Sequence, residues 1–244
     1  MRREPARADS DADFGETSGG AVRIDCHVHT EGSFDCSEPV EEVLQSAAES
    51  HVDGVVLTDH DCIAGALAAT ERAETYGLLA VPGVEVSTAD GHLLAIGVES
   101  RPPRDLPFAA TVEWIRDAGG IAVVPHPFQR TRHGVPAGRI TDCDGIEVFN
   151  AHTLTGFRNW QAVRFAARRG FARFAGSDAH DAGSVGRGYT EVALDGDTPS
   201  VESVVDAMRA GRTRAAGQGA PKRQYVRKLA SNARRRSAHI LPVE

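Results

Sequence analysis

Lysine is nearly missing from this chain: Lys222 and Lys228 stand against 25 arginines. A metal site bridged by a carboxylated lysine therefore has no candidate before residue 222. Cysteine is sparse and unpaired in sequence, with Cys26, Cys36, Cys62 and Cys143 forming no CxxC. That excludes a zinc ribbon and a thioredoxin-type motif. In a cytosolic chain these thiols stay reduced. Cys26, Cys36 and Cys62 lie within two residues of candidate metal ligands. The plain reading is small buried hydrophobes; the sharper one is oxidation-sensitive thiols beside a metal. No apolar run reaches the ~18 residues of a membrane span. No apolar stretch follows the charged N-terminus, so no secretory signal is expected and the protein reads as cytoplasmic. Acidic residues dominate the body: 1–214 hold 20 basic and 33 acidic residues, a net of −13, while 215–244 hold seven basic and one acidic. Such a body repels anionic substrates unless bound cations reverse the local field.

A chain of 244 residues suits one large domain, as in α/β barrels. Residues 1–20 are polar and aperiodic, and are expected to be disordered. From 21 to 214, apolar runs alternate with helical patterns, which argues for a parallel α/β sheet or barrel. Strands are expected at about 22–26, 54–57, 78–81, 92–98, 121–124, 145–149, 171–175 and 189–194. Helices are expected after Ser37-Glu38-Pro39 and at about 64–76, 108–118, 154–169 and 201–210. Ser37 is a candidate cap for the first helix and Asp61 for the second, with Gly77 and Gly170 as stops. Residues 129–141 read as a long mobile loop, and 215–244 as a basic tail. That tail is either a nucleic-acid anchor or a solvated helix.

His27-Val28-His29-Thr30 closes the first apolar run. Side chains two apart on a strand share a face, so both imidazoles point one way, as a divalent metal requires. Alone, such a dyad is weak. Here it is followed by Thr58-Asp59-His60, Gly83-Val84-Glu85, Gly91-His92, Pro125-His126-Pro127 and Ser177-Asp178-Ala179-His180. All but His92 fall at or just past the end of an apolar run. In α/β barrels the strands' C-terminal ends converge on the working face.

In type, order and placement these motifs resemble the PHP family, named for polymerase and histidinol phosphatase. They stand as DCHVHT (25–30), SFDCS (33–37), LTDHD (57–61), PGVEVS (82–87), GHLLAIG (91–97), VPHPF (124–128) and AGSDAH (175–180). The resemblance covers about Val22 to Leu194. It implies an α/β fold, a distorted (β/α)7 TIM-like barrel, holding three divalent metal ions. Carried over, His27, His29, Glu85 and Asp178 hold one metal. Glu85 bridges to a second, completed by His92 and His126, and Asp35, His60 and His180 hold the third. Glu85, His126, Asp178 and His180 are then closest to the chemistry. Imidazole and carboxylate donors suit Mn, Fe or Zn better than Ca or Mg. A metal-bound hydroxide would attack phosphorus directly, so no Cys or Ser nucleophile is needed.

Arg132, His133 and Asn150 are candidate substrate contacts. For Arg130, Arg132 and His133 the plain alternative is a solvated loop; for Asn150 and Ser177 it is ligand orientation or satisfied strand-end backbone. Asp59 is expected to orient a ligand. His152 reads as a surface residue, or as a proton donor to a leaving group; His51 and His239 read as surface residues. The function expected is metal-dependent phosphoesterase action on a small metabolite or nucleotide. The alternative is a nuclease working on RNA or DNA ends with the tail as anchor. A C–N-cleaving amidohydrolase with a Glu85 bridge and a non-catalytic binding module are weaker readings. The oligomeric state is not legible.

Overall fold

A computed structural model describes residues 20–153, 155–196 and 198–218. The described residues form strands β1 (Ala21–Val28), β2 (Gly54–Leu57), β3 (Leu79–Thr88), β4 (Gly91–Ile96), β5 (Ile121–Val124), β6 (Gly145–Asn150), β7 (Ala172–Gly176), β8 (Gly188–Ala193) and β9 (Thr213–Gly217). Between them lie helices α1 (Val40–Glu49), α2 (Ala64–Arg72), α3 (Phe108–Asp117), α4 (Gly156–Arg169) and α5 (Val201–Arg209). Nearly all of the expected N-terminal disorder and the tail beyond 218 fall outside the described residues.

The nine strands form one sheet in the order β7-β6-β5-β4-β3-β2-β1-β8-β9. It curls into a nearly closed barrel. The β7 end meets β1 through two backbone bonds, Asp178 N–H to His27 O at 2.7 Å and His29 N–H to Ala179 O at 3.0 Å. Buried Thr190 on β8 adds a side-chain tie, accepting from Ala175 N–H at 2.9 Å. Gly176 permits this approach, since a Cβ there would lie 2.4 Å from His27 Cβ.

The expected barrel is thus present, with a change of direction. β4 runs antiparallel to both β3 and β5, while β1, β2 and β3, and again β5, β6 and β7, pair in parallel. His92, at the start of the reversed strand, therefore sits at the same end as its neighbours' C-termini. Glu85 lies inside β3 rather than past its end, because that strand continues to Thr88 to pair with β4. β9 was not foreseen. It pairs with β8 and carries the sheet across the expected 214/215 boundary.

Polarity divides the barrel along its axis. At one end Ile24, Leu94, Ile96, Ile121, Val123 and Phe174 pack with Val204 and Met208 of α5 in one buried cluster. At the other end the interior is histidine and carboxylate. A β-bulge in β1 makes the change: Asp25 to Val28 spans three steps against two on β2. The bulge breaks the period-two alternation, so apolar Val22 and Ile24 give way to His27 and His29. A second register shift, between Glu147 and Phe149 of β6, stands beside the same end.

Two expected caps are corrected. Pro39, not Ser37, takes the N-cap position of α1, and no side chain caps it. α2 starts after Ile63, also uncapped. Asp61 instead accepts from Ser87 N–H and Oγ–H, both at 2.8 Å, and ties the α2 approach to β3. No described helix is long and apolar enough to cross a membrane.

Candidate metal centre

All nine expected ligands reach one end of the barrel. Glu85 is at the centre and is 1% exposed. Its Oε2 lies 3.2 Å from His27 Nε2, 3.3 Å from His29 Nε2 and 3.4 Å from His60 Nδ1. Its Oε1 lies 2.8 Å from His92 Nδ1 and 3.0 Å from His126 Nε2. The two oxygens of one carboxylate thus address two sets of imidazoles. Asp178 Oδ1 completes the first set at 3.8 Å from His27 Nε2 and 3.6 Å from His29 Nε2. Asp35 lies 2.9 Å from His180 Nε2 and 3.7 Å from His60 Nε2, forming a third group.

Backbone geometry aims two of these side chains. His126 and Asp178 both have positive φ, 28° and 54°, at the ends of β5 and β7. Such conformations cost ~1–3 kcal/mol each and persist where the surroundings hold them. Here His126 N–H is held by Glu147 Oε2 at 2.6 Å and Asp178 N–H by His27 O.

The buried groups fit metal ions. Asp178 Oδ1 is buried and has no hydrogen-bond donor, and neither has His60 Nδ1. His27 Nε2 and His29 Nε2 face each other at 3.1 Å, so one must carry a proton or both must meet a cation. Burial alone would lower the His27 pKa, but the charges of Asp178, Glu147 and Glu85 outweigh it and hold it well above the usual range. His29 is likewise opposed by burial, yet the neighbouring carboxylates of Asp178 and Glu85 raise it to about 9. Burial opposes ionisation of Glu85 and Asp178. The histidines around Glu85, and Arg132 and His27 beside Asp178, still hold both carboxyls well below their usual range. A divalent cation would satisfy the same attraction between imidazole lone pairs and carboxylates.

Behind the ligands stands a set of polar residues that the sequence reading missed. Glu147 is buried in β6 and meets His27 Nδ1 at 3.1 Å, fixing the ring's orientation. Ser33 Oγ meets His29 Nδ1 at 3.0 Å and accepts from His60 N–H at 2.9 Å. Asp25 accepts from the backbone N–H groups of His27, Ser177 and Gly186. Burial raises its pKa to about 6 despite those bonds. The available signal was an acid inside an apolar run, as in Gly145-Ile146-Glu147-Val148.

Four other expectations change. Asp59 does not touch a ligand ring; it accepts from Thr30 N–H and Oγ–H, both at 2.6 Å, and fixes the turn after His29. Asn150 is buried and donates to Glu147 Oε2 and Asp178 Oδ2, both at 2.9 Å, so its amide is engaged behind the site rather than free for a substrate. His152 is not a plain surface residue: its Nδ1 lies 2.9 Å from Asp178 O and its ring 5.3 Å from that of His180. Cys26 and Cys143 are buried thiols, with burial pushing Cys143 up to about 12 and Cys26 up as well, which removes the sharper reading for Cys26.

A cavity of about 230 Å³ opens over the cluster, lined by seven of the nine residues together with Phe34, Thr131, Arg132 and His133. Arg132 donates from Nη2 to Asp178 Oδ2 and from Nη1 to Asn150 Oδ1 at 3.4 Å. The His133 ring stacks on His92 at 5.1 Å. Both therefore reach the cavity from the 129–141 loop.

A family model described as PHP domain matches residues 25–180, and one described as PHP-associated matches 156–213. An uncharacterised protein of Methanocaldococcus jannaschii is 30% identical over 150 residues, 57% of this chain and 87% of that protein. A phosphoribosyl 1,2-cyclic phosphate 1,2-diphosphodiesterase of Eggerthella lenta is 41% identical over 85 residues, 32% of each chain. The match thus spans only about a third of that named enzyme. Among solved structures, a two-domain protein of Bacteroides vulgatus containing a predicted PHP-like metal-dependent phosphoesterase superposes with a TM-score of 0.68 at 19% identity. It covers 88% of this chain and 70% of that one.

Proposed function

The chain belongs to the PHP domain family, and from that premise we propose that it hydrolyses phosphate esters with divalent metal ions held at the barrel end. The observation that carries the proposal is Glu85, whose two oxygens face two separate histidine sets from a buried position. In this reading His27, His29, Glu85 and Asp178 hold one ion; Glu85, His92 and His126 a second; Asp35, His60 and His180 a third. The donor chemistry favours Mn, Fe or Zn. When bound, such ions polarise phosphoryl oxygens and make a water nucleophilic at neutral pH.

The chain's own residues supply the rest. Arg132 stands where its guanidinium can bind a phosphate oxygen by a charge-assisted bond, with His133 beside it on the cavity wall. His152 lies next to Asp178 and His180 and is placed to give a proton to a leaving oxygen. Asn150 and Glu147 hold Asp178 and His27 in place. No thiol or hydroxyl among the cavity-lining residues is required as a covalent nucleophile. The substrate is a phosphate ester of a small metabolite or of a nucleotide, free or at the end of a strand.

Metal analysis of the purified protein, followed by a screen of sugar phosphates, mononucleotides, nucleoside bisphosphates and short oligonucleotides, tests this. Hydrolysis should be abolished by EDTA and restored by Mn. Metal-loaded protein that leaves the whole panel intact would overturn the proposal.

A further inference from the structure

Helix α4 differs in charge from the rest of the body. It carries Arg158, Arg164, Arg168 and Arg169 and no acidic residue, in a chain whose first 214 residues have a net charge of −13. Among the described residues none of the four pairs with a carboxylate; Arg158 bonds Gln161, and Arg169 bonds the carbonyls of Ile140 and Thr141. Arg164 and Arg168 remain exposed. The same helix displays two large aromatic side chains to solvent, Phe157 at 57% and Trp160 at 52% exposure. They stack on each other at 5.8 Å and 23°, and the Arg164 guanidinium lies 4.9 Å over the Trp160 ring. Core packing does not account for rings held this far out in water.

Next to them is an open groove of about 370 Å³, lined by Phe128, Ala137, Trp160, Arg164, Phe165 and Arg168 among others. One wall belongs to the segment that also borders the metal-site cavity: Phe128 and Ala137 face the groove, while Thr131, Arg132 and His133 face the cavity. The start of α4 is fastened to the site as well. Asn159 Oδ1 accepts from Asn150 N–H at 3.3 Å and its Nδ2 donates to Asn150 O at 3.2 Å. Asn150 in turn holds Asp178. Groove and cavity are therefore two sides of one rim.

We propose that this α4 face binds single-stranded nucleic acid and leads one phosphate of it to the metal-site cavity. Aromatic faces interleaved with arginines are the chemistry that stacks unpaired bases and follows a phosphate backbone. A duplex hides its base faces, so the surface favours single strands. An otherwise acidic body makes the local positive charge the point of contact. The binding step stands by itself; delivery to the cavity rests on the phosphoesterase reading above.

The test uses the full chain with F157A/W160A and R164E/R168E, each checked for an unchanged circular dichroism spectrum and Tm. A labelled single strand of about 12 nucleotides is titrated in EDTA, so that binding is read without cleavage. Wild type should bind it, quench Trp160 fluorescence and prefer it over the same sequence as duplex. F157A/W160A should weaken binding roughly tenfold or more. R164E/R168E should weaken it and flatten the slope of log affinity against log salt by about 1.4. Mn-dependent hydrolysis of p-nitrophenyl phosphate should be unchanged in both. Absence of oligonucleotide binding, or equal affinity in wild type and variants, would overturn the proposal. So would variants that only change the oligomeric mass, since that would make the face an interface between copies. Loss of p-nitrophenyl phosphate hydrolysis in wild type would count against the phosphoesterase reading and leave the binding result standing.

Discussion

Asp25 and Asp178 are equally hidden, 0% and 1% exposed, on either side of the His27 backbone, yet their surroundings differ. Asp25 accepts three backbone N–H groups and joins β1 to the segments after β7 and before β8. Asp178 Oδ1 accepts none and faces His27 and His29 Nε2. A buried carboxylate with satisfied oxygens braces the fold; one whose lone pair is left facing other lone pairs is arranged for a cation. Glu147 and Glu85 repeat the contrast. Glu147 is spent on His27 Nδ1, His126 N–H and the Asn150 amide. Glu85 meets imidazole nitrogens on both of its oxygens.

Breaking the ligand side should have the larger effect. H27A/H29A is expected to lose about one metal equivalent and to drop kcat/KM by roughly 10³-fold or more, the scale of a lost electrostatic stabiliser. Metal analysis and turnover check this; survival of both would invalidate the site. On the brace side, D25A should destabilise the fold by about 3 kcal/mol or more, since two buried N–H groups and a partly buried one lose their acceptor at ~1–3 kcal/mol each. Denaturant unfolding measures that, and metal bound per folded molecule should stay unchanged.

The contrast also has a pH form. With no metal bound, His27 and His29 have folded pKa values raised above 6.5, His29 to about 9. Their contribution to stability is therefore complete below pH 6.5 and is lost as the pH rises through the folded values, about 9 for His29. Metal ions need the same imidazoles unprotonated, so loaded protein should not weaken over that range. Parallel thermal melts of the two forms between pH 6.5 and 9 distinguish them; equal slopes would contradict the cation-site reading. The smallest expected effect is E147Q. It keeps the shape but weakens the hold on His27, which should lower metal affinity 10–100-fold in a metal titration.

Much of this was readable in advance, for a local reason. β2 and β5 fall at the expected residues, and α2 with its 3₁₀ extension through Tyr76 ends at Gly77, which takes the left-handed conformation there. Gly170 does the same for α4. Apolar period and stop residues act over a few positions and need no partner. The convergence of the histidine and carboxylate motifs was legible because barrel topology sends strand ends to one place, whereas Asp35 and the division into three metal sets came from the resemblance to the PHP family.

The remainder depended on neighbours far away in sequence. An apolar run reads the same in either direction, so the reversal of β4 was invisible. Nothing in β1 alone announces a bulge that exists only relative to β2. Glu147, Ser33 and Asp25 acquire meaning from His27, His29 and Ser177, which other elements deliver. Ser37 and Asp61 illustrate the opposite case, where a local capping preference yielded to a tertiary use of the side chain or to none. By itself, then, the sequence determined the alternation of strand and helix and the placing of metal-type donors at strand ends, since both follow from residue type and spacing. Tertiary structure alone decided which lone pairs stay unsatisfied and which aromatic rings stay in water. Hydrogen-bond partners and burial are properties of contacts between segments, and no segment carries them alone.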